Sequence, residues 1–130
     1  MCGILGEFGK IHSSKEEFNS LLKLSEDRGP DMIGYYNNLD VKTDQIPFLQ
    51  FGFNRLSILD LTDNANQPII SKSNRYVVMC NGEITNYLDL KNEMGLKEKD
   101  IRSFSDTEVL CHALDYYGIR ETINRINGMY

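Results

Sequence analysis

Two stretches of the chain hold side chains whose types and spacing could do chemistry. The first is Met1-Cys2-Gly3-Ile4-Leu5-Gly6-Glu7-Phe8-Gly9. An initiator methionine is normally trimmed when the next side chain is small, which would leave Cys2 carrying a thiol and a free α-amine. The thiolate is the reactive form, and an ordinary thiol with a pKa near 8.5 is only a few per cent ionised at pH 7. An α-amine with a pKa of about 8 supplies a base on the same residue, and partial burial raises its neutral share. With Met1 attached, that nitrogen is an amide and no base. The plain alternative for Cys2 is a small buried hydrophobe.

The second stretch is Cys80-Asn81-Gly82-Glu83. Asn-Gly is the preferred pair for a two-residue hairpin turn. The same pair also offers a side-chain amide donor beside an unshielded glycine N–H, the makings of an oxyanion hole. Glu83 is then a candidate acceptor for a substrate ammonium. Arg55 stands at the end of an apolar strand face. It is either a snorkelling surface residue or a fork of donors for a carboxylate. Asp106, in the first turn of a helix, suits the helix dipole or an ammonium group. One arginine and two carboxylates around a nucleophile describe a site for a free α-amino acid.

The elements that must position these groups follow from pattern. Ile4, Leu5 and Phe8 predict a buried strand that holds the chain start inside the protein. Ser13 and Ser14, with Glu16 and Glu17 three residues on, predict a capped amphipathic helix over about 14–26 that stops at Gly29-Pro30. Residues 32–38 read as a strand, and Asn37-Asn38 to Gln45 as a polar loop. From Phe48 to Leu56, Phe48, Gln50, Gly52 and Asn54 alternate with Leu49, Phe51, Phe53 and Arg55, which turns Arg55 toward the core or a cleft. Residues 60–68 read as an irregular loop, and 75–80 as a strand apolar on both faces. A short helix is predicted over 86–94 and a strong one over 106–117, with Ser105 and Glu108 as its capping box. A turn leading into another strand follows at 126–130.

The 130 residues allow one domain, and net charge −5 argues against a nucleic-acid or anionic-membrane surface. No apolar run is long enough to cross a bilayer and no signal peptide is evident, so a cytoplasmic protein is expected. Three cysteines and two histidines have neither disulfide parity nor metal-ligand spacing.

In order and spacing, Met1-Cys2-Gly3-Ile4, Arg28-Gly29-Pro30-Asp31, Arg55-Leu56-Ser57-Ile58-Leu59-Asp60, Gln67-Pro68, Cys80 to Tyr87 and Ser105 to Val109 form a specific set. The set resembles the glutaminase domain of the class II glutamine amidotransferases, which are N-terminal nucleophile hydrolases, and within them the glutamine-hydrolysing asparagine synthetase branch. Sugar-phosphate amidotransferases carry an Arg-Gly-Tyr-Asp-Ser type motif instead. Asp27 stands where relatives often have histidine. The resemblance implies an α+β fold, the N-terminal part of a four-layer α/β/β/α sandwich with mostly antiparallel sheets. It implies that Cys2 attacks the side-chain amide of glutamine and releases ammonia through a thioester. Asn81 and Gly82 match the oxyanion hole, Arg55 the glutamine carboxylate site, Glu83 and Asp106 the α-amine site, and Leu56, Ser57, Ile58 and Leu59 the pocket lining.

By the same resemblance residues 1–130 are a glutaminase domain lacking its C-terminal strands. This domain needs no metal or cofactor. ATP and magnesium belong to a synthetase domain outside the sequence, which would receive the ammonia and amidate aspartate or a sugar acid. Strand edges left unpaired would invite a homodimer. Two further readings stand beside this one: a non-catalytic remnant that binds glutamine or a partner subunit, and a cysteine hydrolase acting on a different amide.

Overall fold

The computed structural model describes residues 2–39 and 47–130; Met1 and most of the expected loop ending at Gln45 lie outside the described residues. The chain forms two compact units, Met1–Leu56 and Ser57–Tyr130. Among the described residues, antiparallel sheets and four α-helices make up the α+β class expected.

In the first unit, β1 (Gly3–Gly9), α1 (Lys15–Lys23), β2 (Met32–Asn37) and β3 (Phe48–Arg55) follow in order. The sheet is antiparallel with β3 in the centre, pairing Gly3 with Asn54 on one side and Met32 with Arg55 on the other. Ser14 caps α1 through a full capping box: the Glu17 N–H donates to Ser14 Oγ and the Ser14 N–H to Glu17 Oε2. Phe18 and Leu22 are 1% exposed and lie over Gly52. The period-2 pattern of β3 holds, but both of its faces are buried, Phe53 on one and Gln50 and Asn54 on the other.

The buried amides on the α1 face are tied down. Gln50 Nε2 donates to Glu7 Oε2 at 2.6 Å and to Ser13 O at 3.2 Å, and Gln50 Oε1 accepts from Tyr35 OH at 2.9 Å. Asn54 Nδ2 donates at 2.8 Å to both Leu22 O and Ser25 Oγ. Two expectations are corrected. Helix α1 ends at Lys23 and a separate 3-10 turn covers Glu26–Arg28, because Asn54 and Ser25 occupy the carbonyl of Leu22 at its C-terminus. Strand β1 is not buried throughout: α1 covers the face bearing Leu5, whereas Ile4 and Phe8 are 46% and 76% exposed on the other.

The second unit comprises β4 (Ile69–Ile70), β5 (Val77–Val78), β6 (Glu83–Ile84), α2 (Tyr87–Glu93), α3 (Asp106–Tyr117), α4 (Ile119–Arg125) and β7 (Gly128–Met129). β4 pairs with β5, and β6 with β7. Helix α3 supplies both cores, Cys111 packing with Ile69 and Val78, and Val109 with Ile84, Leu90 and Ile126. The strand expected over 75–80 shrinks to Val77–Val78, because its ladder partner among the described residues is the two-residue β4. Helix α4 had no counterpart in the sequence reading. It starts at Gly118, whose φ of 79° breaks the chain direction, and Thr122 Oγ1 anchors it to Ala113 O at 2.9 Å. Among the described residues no helix is long and apolar enough to cross a membrane.

Only half of the expected box on α3 forms. Ser105 Oγ accepts from the Glu108 N–H, but the Glu108 carboxylate turns to the preceding loop. There it accepts from the N–H groups of Arg102 and Ser103 at 2.7 and 2.6 Å and from Ser103 Oγ. Its side chain is 3% exposed, with Arg102 Nε at 3.6 Å and His112 Nε2 at 3.8 Å. Burial pushes the carboxyl up, but hydrogen bonds from His112, Ser103 and the loop backbone outweigh it and hold the pKa at about 2, against 4.5 ordinarily. A depressed carboxylate stabilises the fold above its unfolded pKa, and that contribution disappears as pH falls from about 4.5 to about 2. Glu108→Gln should therefore cost up to roughly 3 kcal/mol at pH 7. In urea melts at several pH values, the gap from the parent protein should close across that window; a constant gap would refute the assignment.

Candidate active site

In the first unit the chain start is held where the two arginine motifs meet. The Leu56 N–H donates to Cys2 Sγ at 3.3 Å, and the sulfur lies 3.7 Å from Leu56 O. Arg28 Nε donates to Cys2 O at 3.2 Å, and the Asp31 N–H donates to Arg55 O at 3.0 Å. Gly29 sits so close to the Asn54–Arg55 backbone that a Cβ there would overlap Asn54 O. The Arg28 to Asp31 loop is thus pressed edge-on against the end of β3, and its arginine reaches back to the residue carrying the thiol.

The three cysteines are free and differ sharply. Cys111 is buried, and burial, reinforced by Asp115, pushes its thiol up to about 12, which removes it as a nucleophile near neutrality. Cys80 is 8% exposed. Cys2 alone is half-exposed, with a backbone N–H directed at its sulfur.

Arg55 is 5% exposed, so the snorkelling alternative does not hold. Leu56 adjoins Cys2 in this unit. Ser57 is half-buried at the start of the second unit, and Ile58 and Leu59 are exposed there. Asp60, whose φ is 56°, closes that segment: its carboxylate accepts from the N–H groups of Thr62 at 2.9 Å and Phe104 at 2.8 Å. The residue was legible only as part of the Arg55 to Asp60 motif, with no role attached.

In the second unit Asn81 is half-buried, and Gly82 and Glu83 are exposed. The hairpin-turn alternative is overturned. Residues after the pair form β6, which pairs with β7 and not with β5, and Gly82 is not among the glycines with positive φ that a type I′ turn requires. Gly82 instead lies against the chain at Met129 and Tyr130, where a Cβ would come within 2.7 Å of Tyr130 Cα. Asp106 is 6% exposed at the first turn of α3. Its Oδ2 accepts from the Ile84 N–H and its Oδ1 from the Thr107 N–H, both at 2.8 Å, so it fastens the strand that follows Glu83. The structure thus gathers Cys2, Arg55 and Leu56 in one unit, and Asn81, Gly82, Glu83 and Asp106 in the other. The backbone role of Arg28 was not read from the sequence, where it was only a motif letter.

Gly29→Ala should cost about 1–3 kcal/mol, as overpacking against fixed backbone does, and lower the urea midpoint accordingly. An alanine variant as stable as the parent would show that the loop does not bear on β3.

Comparison with known proteins adds an independent line. Residues 1–130 match the family described as glutamine amidotransferase domain. The chain is 33% identical over 135 residues to asparagine synthetase [glutamine-hydrolyzing] 1 of Bacillus subtilis (strain 168), covering 100% of this chain and 20% of that protein. It is 32% identical over 133 residues to asparagine synthetase [glutamine-hydrolyzing] of Zea mays, covering 100% of this chain and 21% of that one. Asparagine synthetase [glutamine-hydrolyzing] 2 of Bacillus subtilis is 36% identical over 135 residues, all of this chain and 16% of its own length. The chain therefore spans about a fifth of the length of the curated relatives it first matches.

Proposed function

The chain belongs to the glutamine amidotransferase domain family, and from that premise we propose that it hydrolyses glutamine at Cys2 and supplies the ammonia to a synthetase domain or subunit. The observation that carries the reading is the Cys2 sulfur, half-exposed and 3.3 Å from the Leu56 N–H, on a residue whose own carbonyl is gripped by Arg28. The N–H and carbonyl of Leu56 together hold the sulfur in place.

The chemistry runs in two halves. After loss of Met1 the freed α-amine takes the thiol proton, and the sulfur bonds to the side-chain amide carbon of glutamine. The oxygen of that carbon becomes an oxyanion, for which Asn81 and Gly82 provide donors. Collapse of the intermediate breaks the C–N bond, the α-ammonium returns its proton to the leaving nitrogen, and ammonia departs, leaving a γ-glutamyl thioester on Cys2. Water then attacks the thioester with the α-amine as base, releasing glutamate and the thiol. Arg55 takes the α-carboxylate of the substrate, Glu83 and Asp106 its α-ammonium, and Leu56 to Leu59 line the approach. Asp106 would serve the ammonium with lone pairs left over from the Ile84 and Thr107 N–H groups. The names of the relatives favour aspartate as the acceptor of the ammonia.

The test is an intact mass of the purified chain before and after a chloroketone analogue of glutamine. The expected result is loss of Met1 and one adduct on Cys2 that excess glutamine prevents. An adduct on Cys80, or one indifferent to glutamine, would sink the reading. In a glutaminase assay Asn81→Ala should lower kcat by about 10²–10³. Arg55→Ala should raise KM by about tenfold to a hundredfold, the range for a lost charged hydrogen bond. A non-catalytic glutamine-binding chain would instead bind glutamine without turning it over, whatever residue 81 is.

A further inference from the structure

We infer that Gln67 is a positioning residue that sets the geometry of the Asn81-Gly82 pair; its catalytic consequence rests on the oxyanion role proposed above. Gln67 is 8% exposed. Its Oε1 accepts from the Cys80 N–H at 2.7 Å, and its Nε2 donates to Cys80 O at 3.4 Å and to Thr107 Oγ1 at 3.2 Å. The Cys80 N–H can only donate, so it fixes which way round the side-chain amide sits. A primary amide offers a donor and an acceptor side by side, as a neighbouring strand does. It serves that purpose where β5 has ended at Val78 and β6 has not begun until Glu83.

The peptide group joining Cys80 to Asn81 is planar, so holding Cys80 O also fixes the direction of the Asn81 N–H and the angle at which residue 81 leaves. At the far end of the segment Asp106 holds the Ile84 N–H. Thr107, which donates its backbone N–H to Asp106, accepts from Gln67. Residues 80–84 are therefore fastened at both ends to the first turn of α3, and Gln67 is the side chain that joins Cys80 to that turn. Gly82 is backed by Met129 and Tyr130 between the two ties. Few side chains would do. A carboxylate at 67 lacks the donor and would face the carbonyl of Cys80 with like charge. An apolar side chain leaves the Cys80 N–H without its acceptor in a buried place.

The experiment compares the parent chain with Gln67→Met, which keeps length and bulk but removes both hydrogen-bonding functions. Amide hydrogen exchange read residue by residue should be at least tenfold faster at Cys80 in the variant, with Val109 and Ala113 in α3 unchanged. In the glutaminase assay kcat should fall about a hundredfold, as for a misplaced oxyanion donor, with KM within about threefold. Gln67→Glu should regain activity relative to the parent as pH falls, since a protonated carboxyl again offers one donor and one acceptor. Unchanged exchange at Cys80 overturns the inference, as does a loss expressed wholly in KM or exchange that rises equally across α3. A parent chain without glutaminase activity would refute the proposed function instead, and the exchange experiment would still decide the role of Gln67.

Discussion

Buried amide protons must be hydrogen-bonded where they lie, and in this protein the two on Asn54 Nδ2 are placed in a way that shapes the surroundings of Cys2. Both faces of β3 are buried, so Asn54 cannot turn to water. Its two protons go to Leu22 O and Ser25 Oγ, while its Oδ1 is left without a partner among the described residues. Those bonds end α1 and send the chain into the tight turn at Glu26–Arg28. That turn delivers Gly29 flat against the backbone of Asn54 itself, with Arg28 pointed at the carbonyl of Cys2. One polar side chain in a central strand thus connects the end of a helix to the orientation of Cys2.

Much of this was legible in the sequence, and the limits have physical causes. The Ser14-Glu17 box and the alternation of β3 are local signals, set by residues within a turn or a pleat of each other, and both stand in the structure. The end of α1 was misplaced because the signal that ends it lies some thirty positions later, at Asn54. Gln50 and Asn54 read as the less buried face because a pattern of residue types cannot show that a helix will bring carbonyls and a serine to meet them. Helix α4 was missed although Ile119 and Ile123 stand four apart: both are more than half exposed, and the helix is anchored by a polar residue, Thr122, its one buried position. The pairing of β6 with β7 joins two-residue segments far apart in the chain, too short to show any period.

The site residues divide along the same line. Cys2, Arg55, Asn81, Gly82, Glu83 and Asp106 stood out in the sequence as candidates because thiol, guanidinium, amide-glycine and carboxylate groups suggest chemistry as well as packing. Arg28, Asp60 and Gln67 were visible only as letters of motifs, because what they do is hold backbone. Arg28 grips the carbonyl of Cys2, Asp60 the N–H of Phe104, and Gln67 both polar groups of Cys80. In a region built of loops and two-residue strands, side chains of this kind replace the ladder that would otherwise fix each peptide plane.

The pairing of β6 with β7 has a consequence for how the protein is made. Everything that holds Cys2 in the first unit, from Ser25 and Arg28 to Leu56, has been synthesised by the time residue 56 is added. The tie on Ile84 comes from Asp106, beyond α2, and the backing of Gly82 from Met129 and Tyr130, beyond α2, α3 and α4. On a ribosome the chain folds from its N-terminal side as it emerges. The contacts on Cys2 thus come from residues made early, whereas the last contact on Gly82 forms only once Met129 and Tyr130 have been added.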